Sequence, residues 1–240
     1  MNDERIAMVG NTWWRIVLLI TNPCYYFLSL RGFMDTYSYF CASIKSDSVM
    51  NKDWIEDIKR ACRVMQEGGV ILYPTDTIWG LGCDATNEEA VRRVYEIKRR
   101  TDSKAMLVLV DSAVKVDYYV QDVPSVAWDL LDVADKPLTV IYSGARNLAP
   151  NLLAEDGSVG IRVTAEEFSR ALCFRFRKAV VSTSANVSGQ PSPRTFAEIS
   201  EEIKNAVDYI VEARRTETTP GRPSSIIKLG SGGEVKIIRE

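Results

Sequence analysis

Val70-Ile71-Leu72-Tyr73-Pro74-Thr75-Asp76-Thr77-Ile78-Trp79-Gly80-Leu81-Gly82-Cys83-Asp84-Ala85 is the stretch on which the reading of the fold turns. Its first four residues form a short buried strand, ended by Pro74, which has no amide hydrogen for a ladder. Three polar side chains, Thr75, Asp76 and Thr77, then stand at the strand end, where open sheets place ligand sites. Gly80 and Gly82 read as a tight turn that needs glycine for its backbone. Gly80-x-Gly82-x-x-Ala85 mimics a dinucleotide fingerprint with Asp102 downstream. That fingerprint needs the strand to run straight into the first glycine, and here it stops at Pro74, so no dinucleotide is expected.

Upstream, Trp54-Ile55, Ile58, Ala61-Cys62 and Met65 recur at helical spacing until Gly68-Gly69 stops the helix. Downstream, Thr86 and Glu89 have capping-box spacing and open a helix with Ala90, Val91, Val94 and Ile97 on one face. It ends in Lys98-Arg99-Arg100, cations at the negative end of the helix dipole. Strands are expected at 106–110, 138–142, 159–163, 179–181, 207–211, 225–229 and 235–238, the last two joined by a Gly-rich hairpin. Helices are expected from Pro124 to about Ala134, from Glu166 to about Arg177, and through Ile203 after a second capping box, Thr195 and Glu198. Runs apolar on both faces, such as 106–110, point to an α/β fold with one mixed, partly parallel sheet covered by helices.

Residues 1–49 read differently. Trp13 to Leu30 is apolar and aromatic, yet Arg15, Thr21, Asn22, Pro23 and Ser29 interrupt it, so it falls short of the roughly 20 apolar residues of a spanning helix. The stretch is expected to be an N-terminal extension, poorly ordered or loosely docked, ahead of one domain at 50–240.

The whole chain has 240 residues, 30 Lys and Arg against 32 Asp and Glu, and no histidine. Histidine-based triads, dyads and zinc sites are thereby excluded. A net charge of −2 gives no global pull toward nucleic acid or membrane, so a basic site must be local. Cys24, Cys41, Cys62, Cys83 and Cys173 are odd in number and form no CxxC pair, which suits reduced thiols in a cytoplasmic protein and no zinc.

Two further segments carry chemistry. A lone Lys98-Arg99-Arg100 is ordinarily a solvated helix end, but the turn Thr101-Asp102-Ser103 delivers Lys104 just before a buried strand. Lys98, Arg100 and Lys104 thus converge where phosphates can be held, by bidentate Arg donors and by Lys as a point charge. Ser182-Thr183-Ser184-Ala185-Asn186-Val187-Ser188-Gly189-Gln190-Pro191-Ser192-Pro193-Arg194 follows another buried strand with many hydroxyl and amide donors. Pro220-Gly221-Arg222-Pro223-Ser224-Ser225 is a weaker candidate loop.

From about Asp53 onward the chain resembles the threonylcarbamoyl-AMP synthase family, the YrdC-like domain. The resemblance lies in the order of five motifs. They are Pro74-Thr75-Asp76-Thr77 with Gly80-Leu81-Gly82; Lys98-x-Arg100 with Lys104; Val159-Gly160-Ile161-Arg162-Val163; Ser184-Ala185-Asn186 with Ser188-Gly189 and Pro191-Ser192-Pro193; and Pro223-Ser224-Ser225. It implies a twisted mixed parallel/antiparallel sheet flanked by helices, with a concave basic face. It also implies an activity: L-threonine, bicarbonate and ATP, with Mg²⁺, give threonylcarbamoyl-AMP and pyrophosphate. That product serves threonylcarbamoyladenosine formation in tRNA by a downstream transferase complex.

By the same resemblance Lys98 and Arg100 are catalytic, and Arg100, Lys104, Ser158, Ser184, Asn186, Ser192, Arg194 and Ser224 bind nucleotide. Thr77, Arg162 and Ser182 hold threonine, and no side chain is assigned to a metal. The chain departs from the family pattern at Ala105, Leu109 and Asp135-Lys136-Pro137-Leu138-Thr139. It departs again at Glu212-Ala213-Arg214, where the family often has Asp-Gly-Gly. Without the accessory C-terminal domain of long members, it resembles the short bacterial type. The alternatives are a non-catalytic RNA-binding module on the same basic face, or a paralogue of unknown substrate. An RNA platform would interleave aromatics with its cations, and near Lys98 to Lys104 there is only Tyr95.

Overall fold

The computed structural model describes residues 3–9, 12–18, 52–100, 106–230 and 232–240. It divides into two units, residues 1–50 and 51–240. In the first, strands β1 (Asp3–Val9) and β2 (Thr12–Leu18) pair antiparallel, Asp3 facing Leu18. The rest of the extension lies outside the described residues.

The second unit is built on a nine-stranded sheet. Its strands are β3 (Ile71–Tyr73), β4 (Gly80–Gly82), β5 (Leu107–Val110), β6 (Leu138–Tyr142), β7 (Val159–Val163), β8 (Val180–Ser184), β9 (Tyr209–Ile210), β10 (Ser225–Leu229) and β11 (Val235–Arg239). They run side by side as β11-β10-β6-β7-β5-β8-β4-β3-β9. Three pairs, β3 with β9, β5 with β7 and β6 with β10, are parallel, and the others antiparallel. The expected mixed sheet is therefore present.

Helices α1 (Lys52–Gln66), α2 (Glu88–Lys98), α3 (Val114–Tyr119), α4 (Ser125–Val133), α5 (Glu167–Phe176) and α6 (Glu201–Ala206) flank it. On one face Leu72, Leu81, Val108, Val140, Ile161 and Val181 pack with Val91 and Val94 of α2, Tyr119 of α3 and Ala127 of α4. Helices α1 and α5 meet each other through Trp54 and Phe168, edge to face at 5.8 Å. The C-terminal end of α1 closes as expected at Gly68, whose φ of 82° only glycine adopts freely. Among the described residues no helix is long and apolar enough to cross a membrane. Cys62, Cys83 and Cys173 are buried free thiols.

Several local expectations change. Gly80 and Gly82 are in strand β4, not in a turn, and the need for glycine there is steric. A Cβ on Gly82 would lie 2.5 Å from the Tyr73 ring, and one on Gly80 would lie 3.1 Å from the Thr183 carbonyl oxygen. Thr86 does not cap α2, because its amide and hydroxyl both donate to Asp84 (2.8 and 2.7 Å). The cap passes to Asn87, which accepts from the Ala90 amide. The second capping box dissolves likewise. Glu198 accepts from the Arg194 amide at 2.8 Å, residues 196–198 form one 3₁₀ turn, and Ser200 caps α6. Helix α3 is unexpected, its Val-Lys-Val-Asp-Tyr-Tyr sequence being β-branched and aromatic. Strand β8 runs past Val181 to Ser184, so the hydroxyls expected in a loop stand on the sheet.

Candidate functional site

Cross-strand partners project from the same face of a sheet. Gly80 pairs with Ser184, Ser182 with Leu107, Leu107 with Gly160, Arg162 with Thr139, and Thr139 with Ile226. The register thus gathers Ser182, Ser184, Arg162 and Thr139 on the face opposite the main core. Gly80 and Gly160 contribute no side chain there, and the floor is correspondingly deep. Above it lies an open cavity of about 390 Å³, and all of these residues line it.

The expected residues divide clearly. Thr77, Arg100, Ser158, Arg162, Ser182, Ser184, Ser192 and Ser224 all line this cavity. Lys98 and Asn186 do not, although they meet the same segment from behind. The Lys98 ammonium, 2% exposed, donates to the carbonyl oxygens of Ser184 (2.5 Å) and Asn186 (2.8 Å). The Ser188 amide returns a bond to the Lys98 carbonyl at 2.8 Å. The Asn186 amide nitrogen turns back onto the carbonyls of Val187 and Gln190, leaving its buried Oδ1 without a protein partner. Arg194 pairs with Glu198 and lines a separate pocket of about 30 Å³ against Thr77 and Gly221. Lys104 lies outside the described residues.

Arg162 is the most enclosed cation of the cavity. Its side chain is 3% exposed, with Nη2 2.9 Å from Asp76 Oδ1 and 3.2 Å from Thr77 Oγ1. Thr77 is oriented in turn by Thr75, whose hydroxyl lies 2.9 Å away and donates to the Ile78 carbonyl. Burial pushes the Asp76 carboxyl up, against the pull of Arg162. Burial pushes the guanidinium of Arg100 down, and that of Arg239 down with help from Arg162. The Lys98 ammonium falls to about 8, through burial first and Arg100 second. The shifts at Arg100 and Arg239 disfavour the charged form, and an anion bound in the cavity they line would offset both.

Two further participants, Arg239 and Thr139, carry no signal in the motifs. Arg239 reaches the cavity from the edge strand β11 and donates to the Ser224 carbonyl at 2.9 Å. Thr139 shares a 2.9 Å hydrogen bond with Ser224. Asp76 belongs to the polar run after β3, and its part as the partner of Arg162 emerges only from the structure. The register of β11 against β10, Arg239 facing Ile226, is what reveals the first.

The segment 212–223, which includes Glu212-Ala213-Arg214, is firmly held. Asp57 of α1 accepts from the Glu212 and Ala213 amides (2.9 and 2.8 Å). Arg214 pairs with Glu166 at 3.0 Å and donates to the Thr75 carbonyl at 3.1 Å. Gly221 packs directly on the Thr77 carbonyl, where a Cβ would sit 1.9 Å from the oxygen.

A family model described as "Telomere recombination", that of Sua5, YciO and YrdC, matches residues 63–240. The chain belongs to the Sua5/YciO/YrdC family. One family relative, a protein of Idiomarina loihiensis named threonylcarbamoyl-AMP synthase, is 35% identical over 165 residues, 66% of this chain and 86% of that protein. Among solved family members, a variant of P. abyssi Sua5 superimposes with a TM-score of 0.71 at 25% identity. That match covers 80% of this chain but only 57% of that one. E. coli YciO gives 0.67 at 25% identity, covering 76% of this chain and 88% of that one. The twisted mixed sheet expected from the motifs is the fold of this family.

Proposed function

We propose that the chain is a threonylcarbamoyl-AMP synthase acting in the cytoplasm, an enzyme of nucleotidyl transfer. The observation that carries this reading is the cavity itself. Three guanidinium groups (Arg100, Arg162 and Arg239) and a row of serine and threonine hydroxyls converge on one concave face, in a chain without histidine. Such a site binds anions and positions them, and the reaction asks for little else. Threonine's amine and bicarbonate give a carbamate with loss of water. A carbamate oxygen then attacks the α-phosphorus of ATP, and pyrophosphate leaves with the electron pair of the broken P–O bond. No protein nucleophile takes part, so rate comes from positioning and from stabilising spread negative charge.

In this reading Arg162 receives the threonine carboxylate, with Thr77 and Ser182 beside it. Arg100, Ser184 and Ser192 face the phosphates, and Lys98 holds the Ser184–Asn186 turn in place from below. Among the described residues no group of three or more acidic or thiol side chains is placed to hold a metal. The Ser184 hydroxyl is a neutral cavity oxygen that fits a magnesium ion arriving on the triphosphate, whereas the buried Asn186 Oδ1 lies behind the cavity wall. That ion would neutralise phosphate charge.

Ring stacking, which an RNA platform uses, finds no support at the cavity, since among the described residues no aromatic side chain lines it. The product would pass to a tRNA-modifying transferase. The test is ATP–pyrophosphate exchange, expected only when both threonine and bicarbonate are present. Exchange that ignores threonine, or none at all, overturns the assignment and favours a paralogue with another substrate.

A further inference from the structure

Ser158 lines the cavity at the start of β7, on the side toward β6 and β10. Ser184 is on β8, with β5 between, so the two hydroxyls are separated across the sheet by about two strand spacings, roughly 10 Å. Their surroundings differ in kind. Ser184 belongs to a wall that includes Arg100. Ser158 is tied instead to a carboxylate. Its hydroxyl donates to Asp156 Oδ1 at 2.5 Å, and its amide donates to the same oxygen at 3.1 Å. The other oxygen of Asp156 accepts from the Lys228 ammonium at 2.6 Å.

An ionised carboxylate only accepts hydrogen bonds, so the single hydroxyl proton of Ser158 is committed to Asp156. The bonds from Lys228 and then Ser158 hold the Asp156 carboxyl down at about 2, which keeps it ionised at neutral pH. What Ser158 turns to the cavity is lone pairs. Phosphate and carboxylate oxygens are acceptors as well, and they find no partner there. We infer that Asp156 is a positioning residue that fixes Ser158 as a hydrogen-bond acceptor. This end of the cavity then receives a donor of the nucleotide, an exocyclic amine or a ribose hydroxyl, while the phosphates lie toward Arg100 and Ser184. The inference rests on the proposed function, in that it takes ATP as the ligand.

The experiment is direct binding, by calorimetric titration of the full chain with ATP, inosine triphosphate, 2′-deoxyATP, 3′-deoxyATP and pyrophosphate. Inosine triphosphate replaces the amine by a carbonyl, and each deoxy analogue removes one ribose donor. The wild type should prefer ATP to one class of analogue by about tenfold, the worth of one well-made hydrogen bond. Ser158→Ala should bring that ratio within about twofold of unity by weakening ATP alone, with pyrophosphate affinity and melting temperature unchanged. Asp156→Ala should shrink the same ratio, because the released hydroxyl can turn and donate. Loss of preference against inosine triphosphate identifies the amine, and against a deoxy analogue the ribose.

Ratios that stay put in both variants while the wild type binds ATP overturn the inference alone. It also fails if Ser158→Ala weakens pyrophosphate as much as ATP. If Asp156→Ala does not fold, Ser158→Ala decides. A wild type that binds no ATP overturns both this inference and the proposed function, whereas missing pyrophosphate exchange with intact ATP preference removes only the function.

Discussion

Arg162 and Lys98 are almost equally buried, 3% and 2% exposed, yet they are held by different means. Arg162 is fixed by side chains, the Asp76 carboxylate and the Thr77 hydroxyl, and its guanidinium faces the cavity. Lys98 is fixed by backbone, the carbonyls of Ser184 and Asn186, and it stays behind the wall. The difference teaches where each cation's charge acts. A planar fork of five donors can satisfy neighbours and still present an edge to a ligand. An ammonium with two of its three donors on carbonyls acts mainly through the turn it organises.

The sharpest way to break this comparison is Arg162→Ala. It should lower threonine-dependent exchange by about a hundredfold to a thousandfold, the scale for removing a charge-stabilising donor. It should also destabilise the fold by about 3–5 kcal/mol, because Asp76 is left buried without its counter-charge. Arg162→Met combined with Asp76→Asn removes that orphaned charge, so chemical denaturation should show stability recovered while exchange stays lost. Recovery of exchange in the double variant would remove Arg162 from the site.

Lys98→Met and Arg100→Ala then separate structure from chemistry across one helix end. Arg100→Ala should cost turnover about tenfold to a hundredfold with stability nearly unchanged. Lys98→Met leaves two carbonyls unsatisfied and should lose about 2–3 kcal/mol. The stability difference between wild type and Lys98→Met should also depend on pH, with a definite sign. Folding lowers the Lys98 pKa from 10.5 to about 8, so between these values the unfolded chain holds the proton that the folded one has released. Stability of the wild type therefore rises with pH across that window relative to Lys98→Met, and the gap measured at pH 10 should exceed that at pH 7.5. A gap that closes with rising pH would mean the ammonium is stabilised where it sits.

Much of this site is legible in the sequence, and the reason is geometric. Strand ends followed by polar runs fix where hydroxyls cluster, and Ser182 and Ser184 need only the register to share a face with Arg162 and Thr139. The convergence of the segment near residue 100 with that near residue 185 also appears, in the Lys98 bonds to residues 184 and 186. What stays hidden depends on orientation within a motif or on contacts distant in sequence. Nothing local says that the Asn186 amide turns back on its own loop, or that Arg194 prefers Glu198. Arg239 reaches the cavity only because β11 pairs with β10. The two glycines of β4 suggest backbone freedom, whereas the cause is close packing against Tyr73 and Thr183, information held by other strands.

Gly221→Ala tests the strap that crosses Thr77. Its Cβ would fall 1.9 Å from a backbone oxygen, and neither partner is a flexible side chain. The expected cost is about 1–3 kcal/mol, as for overpacking elsewhere, with a raised KM for threonine as Thr77 is displaced. An unchanged KM at reduced stability would place Thr77 away from the substrate.

The smallest effect is expected at Arg214, and there the order of variants matters more than their size. Arg214 has φ of 62°, a left-handed conformation that costs a non-glycine residue about 1–2 kcal/mol. Its bonds to Glu166, Glu217 and the Thr75 carbonyl offset that strain. Arg214→Gly loses the bonds and the strain together, so its stability should fall within about 1 kcal/mol of the wild type. Arg214→Ala loses the bonds and keeps the strain, and it should unfold at lower denaturant than Arg214→Gly by an amount worth about 1 kcal/mol. The glycine that the resemblance implies at this position then has a physical reading: the loop needs the left-handed turn, and this chain reaches it by pinning an arginine to the Thr75 carbonyl. Equal stability of the two variants would show that backbone conformation is not what the arginine compensates.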